Sequence, residues 1–228
     1  MYSHEMSVTL RVETLTPAER LAKALHDDEM ITVFDAASKV VKPVLIKDLV
    51  HNPTPYQNRG WCIGEMEWSS DRQATAQNQL IDIRSDTTGQ HELLGRVPTS
   101  PEHFAVKMDT AAFTHRSDAP AVVHLQEKIF LEKVRRNAEL SLEGLPGSQI
   151  LALAHALPYF EVLQTITLAQ FECSQEEAEA FAKALRETKV LKFHCRSHDQ
   201  YKESFRHMIK ALAAVLNETC IAELNFSR

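Results

Sequence analysis

The chain has 228 residues, of which 44% are hydrophobic and 25% charged, so it can bury a sizeable core and its composition excludes a disordered protein. A formal net charge of −6 argues against general nucleic-acid binding, and no apolar run approaches the roughly 20 residues of a membrane-spanning helix. Because no secretory signal and no Cys-x-x-Cys pair is present, we expect a soluble, cytoplasmic protein with reduced cysteines that binds neither nucleic acid nor a membrane.

The N-terminal part of the sequence predicts one helix followed by two strands. The segment 16–19 combines an N-cap threonine, a proline at the first helical position and a glutamate at the capping-box position. Segments 31–34 and 40–46 are rich in β-branched residues and predict strands. Pro43 has no amide hydrogen to donate, which indicates an edge or a bulge in the second strand.

The middle of the chain is predicted to be mainly helical. A helix begins near Trp61 and is followed by a polar loop over residues 69–95, which contains a short strand at 80–83. Two further helices begin at the proline-containing segments 99–102 and 118–120.

The last third of the chain contains a repeated pattern of one strand and one helix. Three triplets share the spacing apolar-x-x-apolar-x-apolar, and their first members lie 27 and 31 residues apart. Each triplet predicts one buried strand, and amphipathic helices fill the intervals. The triplets are Leu163-x-x-Ile166-x-Leu168, Val190-x-x-Phe193-x-Cys195 and Ile221-x-x-Leu224-x-Phe226, and an earlier unit is indicated at Leu140-x-Leu142.

These triplets resemble the leucine-rich repeat family, in its longer, helix-containing form as found in ribonuclease inhibitor. The resemblance implies adjacent parallel strands that present one face to a protein partner, without a cofactor. The family places Asn or Cys three residues after the last strand leucine, where this chain has Phe171 and His198. We therefore expect a short, degenerate array. An ordinary α/β layer with coincidental spacing is the alternative.

A second resemblance concerns the block Tyr56-x-x-Arg59-Gly60-Trp61-Cys62-x-x-Glu65. It resembles the segment of Toll/interleukin-receptor domains that opens a helix and supplies the glutamate for NAD cleavage. The resemblance implies that Glu65 is catalytic and that Tyr56, Arg59 and Trp61 contribute to binding. Only 55 residues precede the block, which is too few for the phosphate-binding half of such a site. The alternative is structural, with Trp61 in the core and Glu65 in the first helical turn.

Potential metal ligands are close together only at His194, Cys195 and His198. Because successive side chains of a strand point to opposite faces, His194 and Cys195 are not expected to bind the same ion. The sequence therefore predicts no metal site.

The predicted fold class is α/β, with a short N-terminal α/β module followed by a leucine-rich-repeat-like array. The predicted boundaries are 1–95 for the module, 96–136 for a helical connector and 137–228 for the array. The leading functional hypothesis is a non-catalytic protein–protein interaction or scaffold module. The alternatives are an NAD-cleaving hydrolase that uses Glu65 and a structural fragment of a longer repeat protein.

Overall fold

The computed structural model describes residues 9–11, 16–35, 37–50, 52–71, 79–81, 95–196 and 201–227. It is mixed α/β, and none of its described helices is long and apolar enough to cross a membrane. In chain order, its elements are β1 (Thr9–Arg11), α1 (Ala18–His26), β2 (Met30–Asp35), β3 (Val40–Leu45), α2 (Gly60–Ser70), β4 (Gln79–Ile81), α3 (Pro101–Thr110), α4 (Ala119–Val134), β5 (Glu139–Leu145), α5 (Gly147–Ala156), β6 (Thr165–Phe171), α6 (Gln175–Leu185), β7 (Lys192–Arg196), α7 (Lys202–Val215) and β8 (Glu223–Ser227).

The N-terminal elements confirm the predicted helix and the two predicted strands. Strands β2 and β3 form an antiparallel pair in which Pro43 lies opposite Thr32, and β1 pairs with β4 in parallel. The predicted capping box is wrong, because Pro17 occupies the N-cap of α1 and no side chain caps the helix. β4 ends at Ile81, and the remainder of the predicted strand at 80–83 lies outside the described residues.

Helices α2, α3 and α4 pack around a small apolar core that contains Ile63, Phe104 and Val122. Gly60 is the point where the chain enters this unit, and its amide donates to the carbonyl of Ala112 at 2.8 Å. A Cβ at position 60 would lie 2.0 Å from the ring of Phe113. Any larger residue at the start of α2 would therefore require the Phe113 ring to move.

The C-terminal half contains a four-stranded parallel sheet in the order β5-β6-β7-β8, and helices α5, α6 and α7 connect successive strands. The predicted strand equivalence is confirmed, because Leu168 pairs with Cys195, which in turn pairs with Phe226. The earlier unit extends the same row, since Leu142 pairs with Leu168. Strand alternation thus directs one apolar row of each strand toward the helices.

The core of this half lies between the sheet and its helices. Leu142, Leu168 and Cys195 are all 0% exposed. Helix α6 begins with the predicted capping box, in which the Ser174 hydroxyl accepts from the Glu177 amide at 3.2 Å and the Glu177 carboxylate accepts from the Ser174 amide at 2.8 Å. Because the helices cover one face of the sheet, each strand is held by apolar packing on that side only.

The expectation that each triplet forms a buried strand is wrong for the last strand. Leu224 is 37% exposed, whereas Phe193, beside it in β7, is 0% exposed. β8 is the outermost strand of the sheet, and among the described elements it pairs only with β7. Its apolar side chains are consequently covered from one direction only.

Candidate functional site

The block predicted from residues 56 to 65 forms the entrance to helix α2. Arg59 precedes the helix, and its guanidinium donates to the carbonyls of Thr54 at 2.7 Å and Asn52 at 3.4 Å. These bonds fix the preceding turn. Tyr56 lies in a short 3-10 helix and packs against the α2–α4 core. Arg59 and Tyr56 therefore have structural contacts that account for their position.

Trp61 is not a core residue, which corrects the structural interpretation of the block. It is 45% exposed, and its indole nitrogen donates to Asp118 Oδ2 at 3.1 Å. This bond ties the start of α2 to the start of α4. The ring also contacts Trp68 edge-on, with centroids 6.5 Å apart. Trp61 thus bridges two helices at the surface.

Glu65 is half-buried and lies in the second turn of α2, because the helix begins at Gly60. The expectation that it lies in the first turn is wrong. Glu65 and Trp61 are four residues apart and share one side of the helix. The Gly60 amide, at the positive end of the helix, is already bonded to Ala112. The structure thus brings Trp61 and Glu65 together without leaving this amide free for a phosphate.

A buried carboxylate that the sequence did not predict lies two residues beyond Glu65. Glu67 is 0% exposed, and its Oε1 accepts from Arg96 Nη2 at 2.6 Å and from Lys107 Nζ at 2.8 Å. Burial alone would raise the pKa of Glu67, but the two cations outweigh it and lower the pKa below its usual value. Glu67 is therefore ionised and anchors two chain segments that are distant in sequence.

Asp71 lies one helical turn after Glu67 and is also 0% exposed. Its two oxygens, and Oε2 of Glu67, accept no hydrogen bond from any described residue. Burial and the charge of Glu67 raise the pKa of Asp71 well above its usual value, although Lys133 opposes them. The pKa values of the two carboxyls are thus shifted in opposite directions, down for Glu67 and up for Asp71.

Two neighbouring carboxyls whose pKa values are shifted in opposite directions can serve as base and acid in catalysis when a substrate can reach them. Here both are fully buried, whereas the side chains of Arg96 and Lys107 are 22% and 41% exposed. Solvent reaches the cations and not the carboxylate. The Glu67 carboxylate therefore positions two partly exposed cations and is not itself accessible. No local pattern signals this arrangement, because Arg96 is 29 residues away in sequence.

A second candidate surface is the face of the parallel sheet opposite the helices. Side chains that point outward from the four strands are aligned in rows by the strand register. All members of the central row are at least partly exposed and can form hydrogen bonds. This central row is Ser141, Thr167, His194 and Asn225.

Charge on this face changes from strand to strand. β5 contributes Glu139 and Glu143, and β7 contributes Lys192 and Arg196, while the outward residues of β6 are uncharged. On β8, Glu223 contacts His194 Nε2 at 3.1 Å and Lys192 Nζ at 3.4 Å. The hydrogen bond from His194, with the charge of Lys192, lowers the pKa of Glu223. The face is therefore acidic at β5 and basic at β7.

The expectation that His194 and Cys195 face opposite ways is confirmed. His194 lies on the exposed face, and Cys195 is 0% exposed in the core, where burial raises the pKa of its thiol to about 12. His198 lies outside the described residues. Within the described ranges, no three His, Cys, Asp or Glu residues are grouped so that they could hold a metal ion.

No protein-family model matches the chain, and none of the curated proteins is a significant match to it. The function must therefore be inferred from the geometry of these two surfaces. The entrance to α2 is occupied by contacts within the protein, whereas the outer face of the sheet presents an ordered row of polar groups to solvent.

Proposed function

We propose that this chain is a non-catalytic protein–protein interaction or scaffold module whose strand-lined face binds a protein partner. In this proposal, β5 to β8 and their helices form a short leucine-rich-repeat-like array. The observation that carries it is the exposed central row of Ser141, Thr167, His194 and Asn225, held in register on four adjacent strands. Four strands fix these groups in place, so that binding costs little conformational entropy.

The chemistry of the face favours a protein over a small molecule. Small-molecule sites are concave and mostly apolar, whereas this face is an open sheet with hydrogen-bonding groups and charges of both signs. A partner would place basic groups over Glu139 and Glu143 and acidic groups over Lys192 and Arg196. Such complementarity favours the correct orientation and disfavours other partners.

We propose that the upstream block is a remnant of a Toll/interleukin-receptor-like segment with a structural role. Arg59 donates to backbone carbonyls of the preceding turn, and Trp61 donates to Asp118. Both side chains therefore donate their hydrogen bonds to groups of the protein itself. In a nucleotide site, such donors would point toward the ligand. The cytoplasm is the compartment we propose, since all four cysteines are free thiols.

Site-specific photo-crosslinking in cells of the natural source tests the proposal. A photoreactive amino acid replaces Thr167 at the centre of the face or, as the control, Leu151, which is 39% exposed on helix α5. We expect one or a few defined protein adducts from position 167 and none of these from position 151. Reversing the charge pattern by Arg196→Glu should remove them. Equal adducts from both positions, or adducts that survive the reversal, would contradict the proposal.

A further inference from the structure

Among the described residues, the apolar rows of the sheet reach solvent at the outer edge of β8. In the row formed by Leu140, Ile166, Phe193 and Leu224, the first three are at most 1% exposed and Leu224 is 37% exposed. Phe226 is likewise only partly buried, although its ring contacts that of Phe205 with centroids 5.5 Å apart. The edge is therefore apolar and held in place by the core.

The backbone of this edge is available for pairing. The amide of Glu223 donates to the Leu191 carbonyl at 3.0 Å, which shows that Glu223 directs its backbone groups toward β7. Backbone groups alternate along a parallel strand, so Asn225 and Ser227 also face β7. Leu224 and Phe226 consequently direct their N–H and C=O groups away from the sheet. An exposed strand with free backbone groups is a template for another strand.

We propose that this edge binds a second copy of the same chain through antiparallel β8–β8 pairing about a two-fold axis at Asn225. The pairing places Leu224 opposite Phe226 of the second copy, as a hydrogen-bonded pair in both directions. Asn225 then meets Asn225, and Glu223 meets Ser227. Four interchain hydrogen bonds form from the groups that the free edge offers.

The identity of the occupant follows from the self-complementarity of β8. In a symmetric dimer, each residue must suit the residue that the two-fold axis places opposite it. Here an aromatic residue meets an aliphatic one on the helix side, a pairing that stabilises antiparallel strands. The only charged residue of β8, Glu223, meets a serine and not its own copy. Both apolar side chains are thereby covered on their open side.

The dimer would join the two sheets into one of eight strands, with the polar faces continuous across the axis. This inference is independent of the proposed partner binding, since a monomer can still present its own face. Conversely, a dimer without a partner would leave the interaction function unsupported. The two failures are therefore distinguishable.

Disulfide trapping tests the axis directly. A non-hydrogen-bonded antiparallel pair places its Cα atoms about 4.5 Å apart, within the range of a disulfide. In a Cys220→Ser background, we expect Asn225→Cys to form a covalent dimer on mild oxidation. Thr167→Cys, on the same face but two strands inward, serves as the control. Cross-linking of the Asn225→Cys protein no faster than that of the control would overturn the proposal.

Sedimentation equilibrium tests the interface in solution. We expect the unmodified chain to dimerise in the micromolar range and Leu224→Lys to weaken this at least about tenfold, which corresponds to about 1.4 kcal/mol. Leu151→Lys, at a similarly exposed apolar site (39% against 37%), should leave dimerisation unchanged. Circular dichroism checks that both variants are folded. A monomer at all concentrations, or equal behaviour of the two variants, would refute the pairing.

Discussion

The two cores of this protein are built on different principles. The sheet and helices α5 to α7 bury an almost wholly apolar interior, in which Asn137, Thr188 and Ser204 are the buried polar residues of the described elements and their connections. The smaller unit around α2 to α4 has a small apolar core and in addition buries a polar set: Glu67, Ser69, Ser70, Asp71, Thr99, Ser100 and Gln126. The first core depends on area removed from water, and the second depends on directional bonds as well.

The largest expected effect is a truncation in the apolar core. Leu168→Ala should lower the free energy of unfolding by about 2–5 kcal/mol, because a fully buried leucine leaves a cavity that the rigid sheet cannot fill. Urea denaturation measures the loss. Leu224→Ala is the matched control, since Leu224 occupies the equivalent face of β8 and is 37% exposed. A similar loss in both variants would show that the interior strand β6 and the edge strand β8 are equally packed.

Substitution of Glu67 tests the contribution of the buried polar residues of the α2–α4 unit. Glu67→Gln should cost about 2–3 kcal/mol, because both Arg96 and Lys107 lose a charge-assisted hydrogen bond. The loss is limited because both cations are partly exposed and can reach water. The pKa of Glu67 is lowered on folding, so wild type has this stability above the usual pKa of glutamate and loses it as pH falls through the folded pKa.

Unfolding curves between pH 7 and pH 3 provide the measurement for Glu67→Gln. The difference between wild type and variant should shrink as the pH falls. A difference that stays constant over this range would mean that the carboxylate charge does not stabilise the unit.

Asp71 should show the opposite pH dependence. Burial raises its folded pKa, so between the usual pKa of aspartate and the folded one the native state holds a proton that the unfolded state has lost. Stability then falls by up to about 1.4 kcal/mol per pH unit as the pH rises. Asp71→Asn should remove this slope, so the free energy of unfolding of the variant should rise relative to that of wild type as the pH is raised. Parallel pH profiles of the two proteins would rule out a buried neutral Asp71.

The smallest effect is expected at Glu65, two residues from Glu67 on the same helix. Glu65→Gln should change the free energy of unfolding by less than about 1 kcal/mol, the scale of the electrostatic interaction of one side chain with a helix dipole. We also expect no nicotinamide release when wild type is incubated with NAD at protein concentrations that drive self-association. Sustained release of nicotinamide that disappears in Glu65→Gln, while the fold persists, would contradict the interaction proposal and support an NAD-cleaving hydrolase.

Most of the helices and strands, although not β1, and the adjacent parallel strands of the sheet were predicted from the sequence alone. Triplet spacing placed Leu168, Cys195 and Phe226 in one row, because apolar residues that face the same layer of helices recur at a fixed spacing in successive units. Proline and capping signals located the starts of α3, α4 and α6 in the same local manner.

Only the tertiary structure decided which polar residues matter. Glu67 meets Arg96 and Lys107 across 29 and 40 residues, and a directional bond between distant residues leaves no periodic pattern. Trp61 reads as a core residue, yet it lies at the surface because Asp118, 57 residues later, accepts its indole hydrogen. Leu224 has the same spacing as its buried equivalents and differs only because no described element packs beyond β8. Exposure depends on neighbours, and spacing within one segment does not specify them.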